Sequence, residues 1–237
     1  MSIIPDYGDI LRKHGLENQD VGYFFKKELA RYLTAETRLL DVGCGRRAFG
    51  EEYYRVVKYR VGVDEDAEAL AENTLMNERV CSSIEDLPDD LGEFDVIVAQ
   101  WVFEHMRHPD KSIEILARHC KPGGYLIFMT TNIYSPLMAV SKFLPTSWKQ
   151  SLKKRFLDVE KHDTYPTPYR INSPGKIDRI MAASGFHKVR LHLTQAYTYF
   201  AFNKFLLLLK IYLGKLIRPL PFSRMFRTHI LGVYQKS

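Results

Sequence analysis

The chain has 237 residues, 46% hydrophobic and 13% aromatic, enough for one large α/β domain with a full core and too few for a second independent one. Its three cysteines, Cys44, Cys81 and Cys120, are odd in number and form no Cys-x-x-Cys pair, which excludes a disulfide framework and a zinc site; no metal is expected. The formal charge of +6 is uneven: ten of the 34 Lys and Arg follow Asp178, where there is no acid, leaving 24 cations against 28 acids before it. A basic tail on a mildly acidic body predicts attraction to an anionic surface, membrane or nucleic acid. Met1 to Gly15 mixes Pro5, Asp6, Asp9, Arg12 and Lys13 into its apolar residues rather than forming a charged-then-apolar leader, so a cytoplasmic setting is expected.

From Asp20 to Tyr32, the residues Val21, Phe24, Phe25, Leu29 and Tyr32 recur at helical spacing. Arg38 to Val42 reads as a buried strand that breaks into Gly43-Cys44-Gly45, with a helix expected over Ala48 to Val57. A second strand, Tyr59-Arg60-Val61-Gly62-Val63-Asp64, again ends on an acid, and Asp66 is placed to cap a helix running to Met76. Further strands are expected at Val80 to Ser82, Phe94 to Gln100 and Tyr125 to Thr130. A helix over Asp110 to His119 is expected to stop at Lys121-Pro122-Gly123-Gly124. Two last strands read at His187 to Leu193 and His229 to Tyr234. Alternation at this spacing implies a doubly wound, mostly parallel sheet of seven strands with helices on both faces, a Rossmann-like α/β fold. Ligands of such sheets sit at the carboxyl ends of the strands, where Asp41 and Asp64 lie. Residues 132–172 form a substrate-side insertion or lid, and residues 195–228 a basic amphipathic insertion before the last strand.

Gly43 and Gly45 can adopt backbone angles closed to other residues and leave room for a ligand against the main chain. Loop and helix N-terminus together would offer N–H groups to an anionic part of it. Asp64, 19 positions past Gly45, stands where a second-strand carboxylate accepts ribose hydroxyls, so a nucleoside-bearing cofactor is expected. Gly43-x-Gly45-x-x-Ala48 also meets the loose nicotinamide fingerprint. Asp41 opposes that reading, because its carboxylate would repel a pyrophosphate but attract the ammonium and sulfonium of S-adenosylmethionine.

The chain resembles the class I S-adenosylmethionine-dependent methyltransferases, in particular the group related to ubiquinone-biosynthesis enzymes. The resemblance rests on Leu40-Asp41-Val42-Gly43-Cys44-Gly45, Val61-Gly62-Val63-Asp64, Ser83-Ile84-Glu85-Asp86-Leu87-Pro88, Phe94-Asp95-Val96-Ile97, Val102-Phe103-Glu104-His105-Met106, and Leu116 through Lys121-Pro122-Gly123-Gly124-Tyr125-Leu126. It implies one methyltransferase domain over 1–237, with Asp41, Gly43 and Gly45 bordering the methionine portion of S-adenosylmethionine. Asp64 and Glu65 would lie at the ribose, Ser83 and Ile84 at the adenine, and Gln100 on the methionine side. The chain departs from the family pattern at Arg46-Arg47, where a further glycine is common, and at Ser83, where an acid is common; Glu85 or Asp86 would then serve the adenine.

An acceptor oxygen or nitrogen must lose a proton as it is methylated, and His105 with Glu104 beside it is the first candidate base. Trp101, Tyr134, Tyr165, Tyr169 and Arg170 are candidate substrate contacts, with His162 and Asp163 in the same closing segment. Over Thr198 to Leu220, a helical projection gathers Asn203, Lys204, Lys210, Gly214, Lys215 and Arg218 within about 140°, with Leu207 and Ile211 intruding. This reads as an interfacial helix turning its lysines to anionic headgroups at the inner membrane face, against a helix covering the cleft or making a dimer contact. The expected activity is methylation of a small-molecule or lipid-linked acceptor, with oxygen favoured. A nucleic-acid methyltransferase is disfavoured because Gln100-Trp101-Val102-Phe103 lacks the Asn/Asp-Pro-Pro-aromatic motif of amino-methylating members. A catalytically idle cofactor-binding module is the third alternative.

Overall fold

The computed structural model describes residues 3–136 and 167–237. Trp148, Lys153 to Arg155, His162, Asp163 and Tyr165 lie outside the described residues, as does all of the 132–172 insertion except its two ends. The sheet is built outward from β1 (Arg38–Val42), whose last four residues are buried. β1 is flanked in parallel by β2 (Tyr59–Asp64) and β4 (Phe94–Gln100), and β3 (Glu78–Cys81) closes that edge. β5 (Cys120–Thr131) continues the sheet parallel to β4. β7 (His229–Lys236) then inserts antiparallel between β5 and β6 (Phe186–Thr194). The order is β3-β2-β1-β4-β5-β7-β6, so the strand order reverses between β1 and β4.

Alternation along each strand sends side chains to two cores. Leu40, Val42, Ile97, Leu126 and Phe128 meet Ile113 and Leu116 of α5 (Pro109–Arg118) and Ile177 and Ile180 of α6 (Pro174–Ala183). Leu39, Val96, Val98 and Ile127 meet the other face, formed by Phe25 and Leu29 of α2 (Val21–Tyr32), Tyr54 of α3 (Glu51–Tyr54) and Leu70 of α4 (Ala67–Glu72). Asp41 alternates in phase with Leu39, so its carboxylate enters the core beside Tyr54 rather than solvent. Asp20 caps α2 by accepting the Tyr23 N–H, and Asp66 caps α4 by accepting from Glu68 and Ala69.

The structure departs from the sequence expectations in four places. The helix after the glycine loop is one turn, Glu51–Tyr54, instead of Ala48 to Val57: Gly50 adopts φ 86°, and a side chain there would meet Leu29 of α2 at 2.9 Å. Lys121 to Gly124 does not separate α5 from its strand but lies within β5, at the register shift between the Phe94–Cys120 and Val96–Tyr125 pairs. α4 ends at Glu72 instead of Met76, and a first helix, α1 (Tyr7–Lys13), precedes α2; the helix expected within Thr198 to Leu220 is present as α7 (Lys204–Ile217).

Candidate functional site

The loop after β1 spends its amides on the neighbouring strand. Gly43 and Cys44 N–H groups donate to the Val63 carbonyl at 2.7 and 3.1 Å, and Gly45 N–H donates to the Asp64 carboxylate at 2.8 Å. With α3 beginning only at Glu51, the expected cradle of helix N-terminal amides is absent from the loop's end. The two glycines serve different ends. Gly43, at φ 68°, makes room for Val102, whose Cγ2 would stand 2.4 Å from an added Cβ; a Cβ added at Gly45, at φ 48°, would meet nothing within 4 Å. Gly43→Ala is therefore expected to lose about 2–4 kcal/mol in denaturant unfolding, from the positive φ and the clash combined, and to lower cofactor affinity in calorimetry.

Asp41 is fully buried, and neither carboxylate oxygen has a hydrogen-bond partner among the described residues. Burial lifts its pKa to about 8; the adjacent Tyr54 hydroxyl offsets part of the rise and the charge of Asp64 adds to it. Tyr54 is itself held by Gln100, whose amide donates to the phenol oxygen at 2.8 Å and accepts the Phe49 N–H at 3.1 Å. Gln100, expected on the methionine side, is thus engaged by the loop and by Tyr54. Asp64 accepts from Gly45 and from Asp66 N–H (2.9 Å), one bond per oxygen, and remains half-exposed. Glu65 next to it is exposed.

Ser83 and Ile84 open a short turn beyond β3. The Ser83 hydroxyl donates to the Asp86 carboxylate at 2.7 Å, whereas Glu85 is taken by Ser112 of α5 at 2.5 Å. Arg46 leans away from the loop onto Glu72 (3.1 Å) and Glu68 (3.9 Å) of α4, so the first arginine of the unusual pair is held by surface carboxylates.

A cavity of about 830 Å³ opens beside Phe49 at the far end of the loop, lined by α1, the start of α2, residues at and just beyond the ends of β4 and β5, Thr167, Tyr169 and residues 196–199. Trp101, Glu104, His105 and Tyr169 reach it together, joined by Tyr199 and His229. Trp101 (φ 58°) and Tyr169 (φ 51°) both hold left-handed backbone, rare for large side chains and a form of strain that clusters at ligand sites. Glu104 is buried, accepts the Thr130 hydroxyl at 2.6 Å, and Thr130 in turn accepts from Asn172 at 2.6 Å. Burial raises the Glu104 pKa, with the Thr130 bond and then His105 opposing. The His229 imidazole is driven down to about 4 by burial and is neutral near pH 7. Its Nε2 lies 3.2 Å from the Tyr199 hydroxyl, and its ring packs against Trp101 at 4.9 Å. The Tyr199 phenol is raised to about 12, also by burial.

A family model described as a methyltransferase domain matches residues 14–191, three quarters of the chain, which takes in the glycine loop and the cavity lining except Tyr7 and Leu11 of α1, residues 196–199 and His229. The chain belongs to the methyltransferase-domain family. Ubiquinone biosynthesis O-methyltransferase of Nitrobacter winogradskyi is 33% identical over 105 residues, covering 41% of this chain and 40% of that protein. This chain therefore aligns with less than half the length of such curated relatives. Among solved structures, an S-adenosylmethionine-dependent methyltransferase from Mesorhizobium loti matches with TM-score 0.56 at 12% identity, covering 90% of this chain and 97% of that one. A cyclopropane synthase from Mycobacterium tuberculosis matches with TM-score 0.56 at 17% identity, covering 90% and 83%. At these identities the structural likeness establishes the fold.

S-adenosylmethionine is the cofactor of this methyltransferase family, and the loop fits it. A buried carboxylate set between the Tyr54 hydroxyl and the like charge of Asp64 is costly until a cation reaches it, and open space over Gly45 with a half-exposed Asp64 beside it leaves a path for a nucleoside. Of the expected substrate contacts, Trp101 and Tyr169 line the cavity. Tyr134 is exposed outside it, and Arg170 is exposed with its guanidinium donating to the Arg107 carbonyl at 2.7 Å. Sequence reasoning missed Asp20, Phe49, Tyr199 and His229. His229 opens the last strand with no motif around it; its only sequence signal was a histidine at a strand start.

Proposed function

We propose that this methyltransferase carries a methyl group from S-adenosylmethionine to an oxygen of a small or lipid-linked acceptor with a substantial apolar body. The cavity carries the reading: its wall is rich in aromatic and aliphatic side chains, with the buried carboxyl of Glu104 and two histidines among them. The curated relatives' name, ubiquinone biosynthesis O-methyltransferase, supports both oxygen as the acceptor atom and a lipid-linked substrate. S-adenosylmethionine supplies an electrophilic methyl carbon on a cationic sulfur. Tyr197, Leu11 and Leu16 hold the apolar part of the acceptor, and Trp101 and Tyr169 fix its reacting end. With the cofactor bound, Glu104 or His105 would take the proton that the acceptor hydroxyl must lose on methylation.

A mass-spectrometric screen with S-adenosylmethionine and phenolic, quinol, alcohol and carboxylate acceptors tests the reading. Products gaining one methyl on oxygen are the expected result. Calorimetric binding of the cofactor with no product across the panel would mark an idle binding module instead, and product only with nucleic acid would reverse the substrate class. Within an active assay, His105→Ala is expected to cut turnover at least tenfold and alter the pH profile; an unchanged rate and profile would remove His105 from the proton transfer.

A further inference from the structure

The 195–228 segment docks the reverse way from its sequence projection. Leu207 and Ile211, which interrupt the basic arc, are the buried anchors of α7 and pack on Ile10 of α1 with Ile4, Tyr7 and Leu11 around them. Three lysines of the basic arc face the protein with them: Lys204 reaches Asp6 at 2.5 Å, Lys215 reaches His14 at 3.1 Å, and Lys210 lies over the Phe200 ring. The opposite face carries Phe205, Leu209, Tyr212, Leu213, Leu216 and Ile217, all exposed, at helical spacing. It continues through Leu220 and Phe222 to Met225 and Phe226, with Phe205 at 71% and Leu216 at 74% exposure. A helix turning its apolar face outward over four turns needs a partner for it.

We propose that this face is a docking surface for an anionic lipid bilayer, into which α7 and the Leu220–Phe226 stretch insert their apolar side chains. The charge bordering the face decides for lipid over a second copy of the chain: Arg218 and Arg224 are exposed near its C-terminal end, and no acid occurs between Asp178 and the C-terminus. Two copies meeting there would bring like charges together, whereas anionic headgroups would neutralise them while the apolar side chains enter the acyl boundary. No helix among the described residues is long and apolar enough to cross a membrane, so the contact is in the plane of the interface. α1 joins this surface to the acceptor cavity. Tyr7, Leu11, Leu16 and Tyr197 line the cavity and also belong to the cluster that seats α7. A bilayer-bound α7 thus holds the cavity one helix away from lipid, an extension that rests on the lipid-linked reading above.

Co-sedimentation of the full chain with phosphatidylcholine vesicles, with and without 30% phosphatidylglycerol, tests the proposal. Binding to the anionic vesicles is expected, with a fall of at least tenfold in Leu213→Glu/Leu216→Glu. Arg218→Ala/Arg224→Ala should reduce the preference for anionic over neutral vesicles by roughly fivefold per cation. Unaltered S-adenosylmethionine binding in calorimetry certifies that each variant is folded, since no substituted residue touches the loop. No binding to anionic vesicles at low salt, or a dimer in sedimentation velocity that Leu213→Glu/Leu216→Glu dissolves, would overturn it. Vesicle binding without methylation of any lipid-linked acceptor would sink the substrate reading and leave the docking surface standing.

Discussion

Asp41→Asn is expected to leave a chain that folds better and binds S-adenosylmethionine far worse. In the free protein the carboxyl titrates near 8 against a usual 3.8, so between these values the folded chain holds a proton that the unfolded chain has released. Stability from this group is complete below about pH 4 and is lost as pH rises through 8. Asparagine, neutral throughout, escapes that loss, and urea unfolding at pH 8 should show Asp41→Asn more stable by about 2 kcal/mol, the full linkage being softened by local relaxation. The difference should shrink toward pH 4. Calorimetry should show cofactor affinity lowered about 100-fold, because a buried carboxylate facing a cation contributes several kcal/mol that an amide cannot. For the native chain near pH 7, cofactor binding should release protons, visible as a dependence of binding enthalpy on buffer ionisation. Unchanged affinity in Asp41→Asn together with no proton release would place the ligand's cation elsewhere.

Glu104 is the second site of large effect, and two substitutions divide its roles. Glu104→Gln keeps an acceptor for the Thr130 hydroxyl, so packing and cofactor affinity should persist while turnover falls about 100-fold if the carboxylate takes the proton. The native rate should rise with pH through a pKa above the ordinary 4.5, and this limb should vanish in Glu104→Gln. Glu104→Ala leaves Thr130 and, through it, Asn172 without their chain of hydrogen bonds and opens a void at the cavity end. Thermal or urea unfolding should register about 2–3 kcal/mol. Full activity in Glu104→Gln would assign Glu104 to holding Thr130 and Asn172, and leave proton transfer to His105 or to solvent.

Most of the scaffold was legible in the chain because each of its signals is local. The apolar run of β1 ending at Asp41, the alternation through Phe94 to Gln100, and the caps Asp20 and Asp66 each act within a few residues. The helix after the loop was overextended because its composition is helical, while its start is set by Gly50 meeting Leu29 of α2, a contact between segments 21 residues apart. Gln100 shows the same limit: a polar side chain at a strand end is an apparent ligand contact until Tyr54 and the Phe49 amide are found beside it.

By itself, the sequence determined the doubly wound sheet, the family and the cofactor, because ordered short motifs encode strand ends, turns and the carboxylates that stand on them. The tertiary structure decided what those carboxylates experience. Asp41 and Glu104 are ordinary acids in the chain and carry raised pKa values only once packing removes their water. It also brought His229 and Tyr199 to the cavity from beyond the motifs and turned the apolar side of α7 outward. Which face of an amphipathic helix docks depends on the partner it finds, and Leu207 and Ile211 found α1.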